Sequence, residues 1–205
     1  ERYGLHISRR NMANWTMQCD DRYLAVLYDY LHEKMYGYHV LQADETPVLV
    51  NKDGRPAGSK SYMWVYRTGR MYTDRQIVLY EYQRTRNASH PREFLKDFSG
   101  ICVTDGYQVY HTIENERKDL KIAGCWSHAR RRFDEAVKAL PKAKQKDSRA
   151  YLALTMIQAI YREEKQLKEL SAQERQDRRQ LSVKPLVEAY FTWVRENLPK
   201  VPQKS

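Results

Sequence analysis

Three runs between residues 40 and 82 are candidate strands, Val40–Val50, Ser61–Arg67 and Gln76–Tyr82, and the second alternates its side chains with a period of two. That period sends successive side chains to opposite faces of a strand. In the second run Tyr62, Trp64 and Tyr66 share one face, and Met63 and Val65 share the other. The turn-rich stretch Asn51–Lys60 and a turn at Gly69 separate the runs. Short connections of this kind join hairpins, so the expected unit is an antiparallel meander of three strands. Two short apolar runs follow, Ile101–Thr104 and Lys121–Cys125. Such runs are typical of buried strands in parallel pairing. His90-Pro91 opens a short helix reaching to about Phe98, Gly100 ends it, and a helix over 127–140 follows the last strand. The resulting fold class is α/β, with the meander and the parallel strands in one mixed sheet flanked by helices.

Helices precede and follow this block. Residues 7–17 form a short helix with Ser8 as its N-cap. Arg9, Arg10 and two Asn lie close together there, so it reads either as part of a helix-turn-helix or as a docking helix anchored by Trp15. Leu24, Leu27, Tyr28, Leu31 and Met35 recur at helical spacing over 20–36 and predict an apolar face on the core. After Pro141 the chain becomes polar and charged. Leu154, Ile157 and Tyr161 mark one helical stripe there, and Ser171-Ala-Gln-Glu174 is a capping box. Pro185 opens a last helix with Leu186, Tyr190, Trp193 and Val194 on one face. The expected organisation is N-terminal helices over 1–37, a core over 38–140 and a helical insertion over 141–205.

The net charge of +10 points to a polyanionic partner, nucleic acid first. Residues 1–125 carry 18 Lys/Arg against 16 Asp/Glu, whereas 126–205 carry 18 against 10, so the excess sits in the C-terminal part. Cys19, Cys102 and Cys125 are far apart and odd in number, which argues against a disulfide framework and for a reducing compartment. No apolar run is long enough to span a bilayer. The first residue is Glu1, and the chain reads as an excised piece of something longer.

Two short strings carry candidate chemistry: Gln42-Ala-Asp44-Glu45-Thr-Pro47 in the first strand and Val103-Thr-Asp105-Gly-Tyr107 at the end of the fourth. A carboxylate inside an apolar strand is costly unless paired or bound to a cation. If the fourth strand runs parallel beside the first, Asp44 and Asp105 come side by side, and adjacent carboxylates repel unless they share a proton or a cation. Mg²⁺ prefers carboxylate oxygen and keeps positions open for substrate phosphate. A pair of such ions suits phosphodiester chemistry. Glu45 should point to the opposite face from Asp44, in a supporting place. Cys125-x-x-His128 supplies too few ligands for the tetrahedral set of a structural zinc. Arg130, Arg131 and Arg132 are consecutive, so they do not share one helix face; DNA phosphate or nearby acids such as Asp134 and Glu135 are their candidate partners.

Ala-Asp44-Glu45-Thr-Pro, Tyr62-Met-Trp64-Val-Tyr, Thr-Asp105-Gly-Tyr-x-x-Tyr110 and Cys125-Trp-Ser-His128-Ala-Arg-Arg-Arg-Phe133 occur in this order. Together they resemble the insertion-sequence sixty-six family of transposases, firmly over residues 1–140 and more loosely beyond. The resemblance implies an RNase H-like fold with a DDE active site. Asp44 matches the first catalytic Asp, Asp105 the second, and His128 a signature position near the site. It also implies Mg²⁺ or Mn²⁺ as cofactor, bound by Asp44 and Asp105. DNA, as transposon ends and target, is the implied partner, with homo-oligomers in a synaptic complex, in the bacterial cytoplasm at the nucleoid. The family's final catalytic Glu lies in an Asn-Asn-x-x-Glu-Arg-like string that is not found here. It is expected beyond Ser205, leaving this piece weakly active or inactive alone. Glu163, Glu164, Glu169, Glu174 and Glu188 fall in the insertion and are not promoted to that role. Alternatives are an RNase H-like nuclease that cleaves without joining, and a non-catalytic DNA-binding remnant.

Overall fold

The computed structural model describes residues 4, 6–50, 54–56, 58–73 and 75–201. The chain divides into two compact units, Glu1–Cys125 and Trp126–Ser205.

The first unit is built on one five-stranded sheet of order β3-β2-β1-β4-β5. The strands are β1 (Val40–Leu49), β2 (Lys60–Thr68), β3 (Val78–Gln83), β4 (Gly100–Thr104) and β5 (Leu120–Gly124). The first three pair antiparallel as the expected meander, and β4 and β5 add in parallel beside β1. The turn-rich stretch after β1 falls partly outside the described residues. Burial alternates in β1, with Leu41, Ala43 and Glu45 inward and Gln42 and Asp44 half-exposed. The inward face packs Trp64, Tyr66, Leu79, Phe94, Leu95, Phe98, Cys102, Tyr110, Ile113 and Leu120 into one core. Tyr66 stacks on Phe94 with ring centroids 3.5 Å apart. Burying each such aromatic stabilises the fold by about 2–3 kcal/mol.

Helix α1 (Arg9–Cys19) starts at the Ser8 cap, whose hydroxyl accepts from Asn11 N–H at 3.1 Å. A π-helical segment (Asp20–Leu24) joins it to α2 (Ala25–Met35). The predicted apolar face is buried only at its far end. Tyr28 and Leu31 pack on the core and Met35 lies within it, whereas Leu24 and Leu27 are about half exposed, as is the supposed anchor Trp15. Burial begins where the helix reaches the sheet, and the wider turn of the π segment re-phases the stripe before that point. Helix α3 (Ser89–Phe94) is shorter than predicted, and a helix, α4 (Gln108–Glu116), joins β4 to β5.

Glu81 stands opposite Trp64 in the β2/β3 register and faces the core side with Leu79. Gln83 Nε2 donates to its Oε1 at 2.9 Å. Its Oε2 is buried with no hydrogen-bond partner among the described residues, as are Trp64 Nε1 and Tyr66 Oη. Burial pushes the Glu81 carboxyl above its ordinary value, and the contact with Gln83 offsets this only in part. The folded state therefore holds its proton more tightly than the unfolded chain, so stability falls as pH rises from the ordinary Glu range through the raised value. Glu81→Gln should raise stability by about 1 kcal/mol at neutral pH and change little in acid, where the carboxyl is already protonated. Thermal melts of both proteins across pH check this. Parallel curves would refute it.

The second unit is helical: α5 (Trp126–Lys138), α6 (Lys142–Gln145), α7 (Arg149–Gln166), α8 (Ala172–Arg178), a π segment (Arg179–Val183) and α9 (Lys184–Asn197). Ser148 caps α7, and Ser171 with Glu174 forms the predicted capping box of α8. The core holds Ala153, Ile157, Ile160, Leu167, Val183 and Tyr190, with Trp126, Phe133, Trp193 and Val194 packed against it. Ile160, not the predicted Tyr161, completes the buried stripe of α7, since the phenol can stay in water.

Candidate active site

The β1/β4 pairing runs Val40↔Ile101, Leu41↔Cys102, Gln42↔Val103. Asp44 lies two residues past Gln42 and Asp105 two past Val103, so the two acids stand level at one end of the parallel ladder. There β4 stops and β1 runs on paired with β2, leaving a step at the carboxyl end of β4. Functional groups gather at such ends in open α/β sheets, because the chain turns away and side chains of neighbouring strands converge.

Local bonds orient both acids. Glu45 N–H donates to Asp44 Oδ1 at 2.9 Å. Tyr107 N–H donates to Asp105 Oδ1, also at 2.9 Å, closing an Asx turn that Gly106 completes at φ +87°. Asp105 Oδ2 lies 3.7 Å from Arg86 Nη2. Both are half-buried, reachable by a substrate and held against the sheet.

Glu45 points the other way, as alternation requires, and its side chain is 1% exposed. Arg86 Nε donates to its Oε1 at 2.6 Å, Arg86 Nη2 pairs with the same oxygen, and Tyr110 Oη donates to Oε2 at 3.1 Å. Burial pushes the Glu45 carboxyl above its ordinary range. Arg86 pulls it back in part, and Asp105 adds to the rise. Burial alone would lower the Arg86 value, but its bonds to Glu45 outweigh that and raise it. Arg86 also lies 3.7 Å over the Tyr107 ring, and Tyr107 Oη donates to the Arg86 carbonyl at 2.9 Å. Arg86, in the loop after β3, has no part in the sequence strings. The inward phase of Glu45 was the available signal that some cation must reach it.

The remaining predicted residues lie in the second unit. His128 is half-buried in the first turn of α5. Arg130, Arg131 and Arg132 follow it and are exposed. Their different directions show in what they line. Arg130 borders a cavity with Ser127, Gln158 and Tyr161, and Arg132 one of about 440 Å³ with Phe133, Arg149 and Trp193. Among the described residues, no group of three or more His, Cys, Asp or Glu is placed to hold a metal ion. Asp44 and Asp105 supply two hard oxygen donors, the chemistry that Mg²⁺ and Mn²⁺ favour, and such ions complete their shells with water and phosphate.

The mixed sheet, its strand order and the flanking helices define an RNase H-like α/β fold. The chain belongs to the transposase IS66 family, whose model matches residues 1–205. Among curated proteins it is similar to three uncharacterized proteins of Sinorhizobium fredii (strain NBRC 101917 / NGR234). It is 29% identical to y4qI over all of this chain and 38% of that protein. It is 26% identical to y4jD over 90% of this chain and 37% of that protein, and 24% identical to y4hP over 83% and 33%. The chain thus spans well under half the length of these relatives. No helix among the described residues is long and apolar enough to cross a membrane.

Proposed function

We infer that this chain carries two of the catalytic carboxylates, Asp44 and Asp105, of a DNA transposase that cleaves transposon ends and joins them to target DNA. The observation that carries this is the level placement of Asp44 and Asp105 at the end of the β1/β4 ladder, in a chain matched by a transposase family along its length. In the reaction, water attacks the scissile phosphorus and the P–O3′ bond breaks, leaving a 3′-OH and a 5′-phosphate. The freed 3′-oxygen then attacks a target phosphodiester, loses its proton and displaces a target 3′-oxygen, which gains one.

Asp44 and Asp105 would hold Mg²⁺ or Mn²⁺, which when bound supplies positive charge to the attacked phosphate and the departing oxygen. The chain's own residues orient the donors: Glu45 N–H fixes the Asp44 carboxylate and Tyr107 N–H the Asp105 carboxylate. A third carboxylate, following the family resemblance, comes from beyond Ser205. His128 is a further candidate residue, carried by the family resemblance alone. Arg130, Arg131 and Arg132 are exposed on a basic unit and suit phosphate contacts, with affinity that falls steeply as salt rises. Residues 38–140 form the catalytic core in this reading, incomplete without the last acid, and 141–205 an insertion. The whole protein works as an oligomer that pairs two ends, acting on DNA in the bacterial cytoplasm.

The test is strand transfer by the full-length protein, supplied with a pre-cut transposon end, target DNA and Mg²⁺. Joined product that disappears in Asp44→Asn supports the reading. Cleavage of uncut ends without any joining would mark a nuclease instead. No reaction, with DNA binding unchanged in Asp44→Asn and Asp105→Asn, would mark a non-catalytic DNA-binding protein.

A further inference from the structure

Arg86 lies between two acids of different burial. It bonds Glu45, whose side chain is closed off from water, and its Nη2 stands 3.7 Å from Asp105 Oδ2. Tyr107 grips it twice, under the guanidinium and at its carbonyl, and through its own N–H holds Asp105 Oδ1. Tyr110 holds the other oxygen of Glu45. Each acid and tyrosine of Asp44-Glu45 and Asp105-Gly-Tyr107-x-x-Tyr110 thus belongs to one connected cluster, and Arg86 joins its halves.

We propose that Arg86 is a positioning residue for Asp105, and that Glu45 is buried beside it to cancel its charge. The proposal rests on the reading of Asp44 and Asp105 as cation-binding acids. A lone guanidinium this close to Asp105 would compete with a metal ion for that carboxylate. Paired with Glu45 it forms a near-neutral unit, which steadies Asp105 by charge attraction at 3.7 Å and through the stacked Tyr107 ring without adding net positive charge. The fork geometry matters because an ammonium cannot bond Glu45 through adjacent nitrogens and lie flat on Tyr107 at once.

Two consequences separate this from simple structural support. Glu45→Gln leaves Arg86 with an uncancelled charge, which should draw Asp105 towards it and repel a cation. Glu45→Gln/Arg86→Gln removes both charges and should restore part of the affinity, whereas a merely structural pair would make the double variant worse.

The experiment measures Mn²⁺ binding to the full-length protein by electron paramagnetic resonance, with DNA-end affinity and thermal midpoint read in parallel. Glu45→Gln is expected to weaken Mn²⁺ binding about 10-fold or more, the double variant to recover part of this, and DNA affinity to stay near wild type. Arg86→Lys should weaken Mn²⁺ binding in the same range, and Arg92→Lys, which alters an exposed pair with Glu116, should leave it unchanged. Unchanged Mn²⁺ binding in folded Glu45→Gln overturns the proposal. So does a double variant weaker than the single, or a fall in DNA affinity alone, which would make Arg86 a phosphate contact. If Asp44→Asn/Asp105→Asn binds Mn²⁺ like wild type, the carboxylate site itself fails, and this proposal with it.

Discussion

Asp44→Asn and Asp105→Asn should each slow cleavage of transposon ends by about 1,000-fold or more, with the thermal midpoint unchanged or slightly higher. Each change keeps the shape of the side chain and removes one anionic oxygen donor. On the proposed reading each acid is a metal ligand, and the charge stabilisation it secures is worth several kcal/mol, which converts to about three decades of rate. Stability should change little, because both acids are half-exposed and Asp105 stands near the Glu45 carboxylate as well as near Arg86. An Asn oxygen can still accept the Tyr107 N–H bond that orients position 105. Rates from single-turnover cleavage and melts of the same preparations check the two halves of this statement. A large rate loss accompanied by unfolding would mean that the acids act through the fold.

The second large effect is expected at Gly100, where β4 begins. Its φ is +147°, a region that side chains rarely enter, and an added Cβ would run into the His39 carbonyl oxygen and meet Phe98 Cζ at 3.0 Å. That same carbonyl accepts from Ile101 N–H at 2.9 Å, beside the first paired residues of β1 and β4. Gly100→Ala must therefore twist a strained backbone and push β4 from β1 at the root of the ladder that sets Asp44 level with Asp105. The combined cost is roughly 3–4 kcal/mol, a fall in thermal midpoint of about 10 °C. Cleavage should drop further than the folded fraction explains. A folded, fully active Gly100→Ala would show that the register at this end does not govern the site.

Much of the fold was legible because turn-rich connections mark the meander and short apolar runs mark the parallel strands. Alternation put Trp64 and Tyr66 on one face of β2, which burial makes the inward one, and short apolar runs marked β4 and β5. Strand order entered only as a condition, that β4 runs parallel beside β1, and the sheet meets that condition. The helices were less readable. The Leu24 and Leu27 positions repeat at helical spacing, yet burial depends on where the sheet ends, which no local period records. Asp44 and Asp105 could be singled out as acids at costly or terminal strand positions. Glu45 could be phased inward with Leu41 and Ala43, but its partner could not be named, because Arg84 and Arg86 share one loop and only the folded chain selects between them. Glu81 was missed for the same reason in reverse: it sits inward in β3 opposite Trp64, with no ion pair among the described residues.

The most direct test of the central claim is Mn²⁺ titration of the full-length protein bound to an uncleaved transposon end, compared with Asp44→Asn/Asp105→Asn in the same complex. Saturable Mn²⁺ binding that the double variant loses, with DNA affinity retained, is the predicted result. Equal Mn²⁺ uptake by both proteins would contradict the account, placing the cation and the strand-cleaving chemistry away from the end of the β1/β4 ladder.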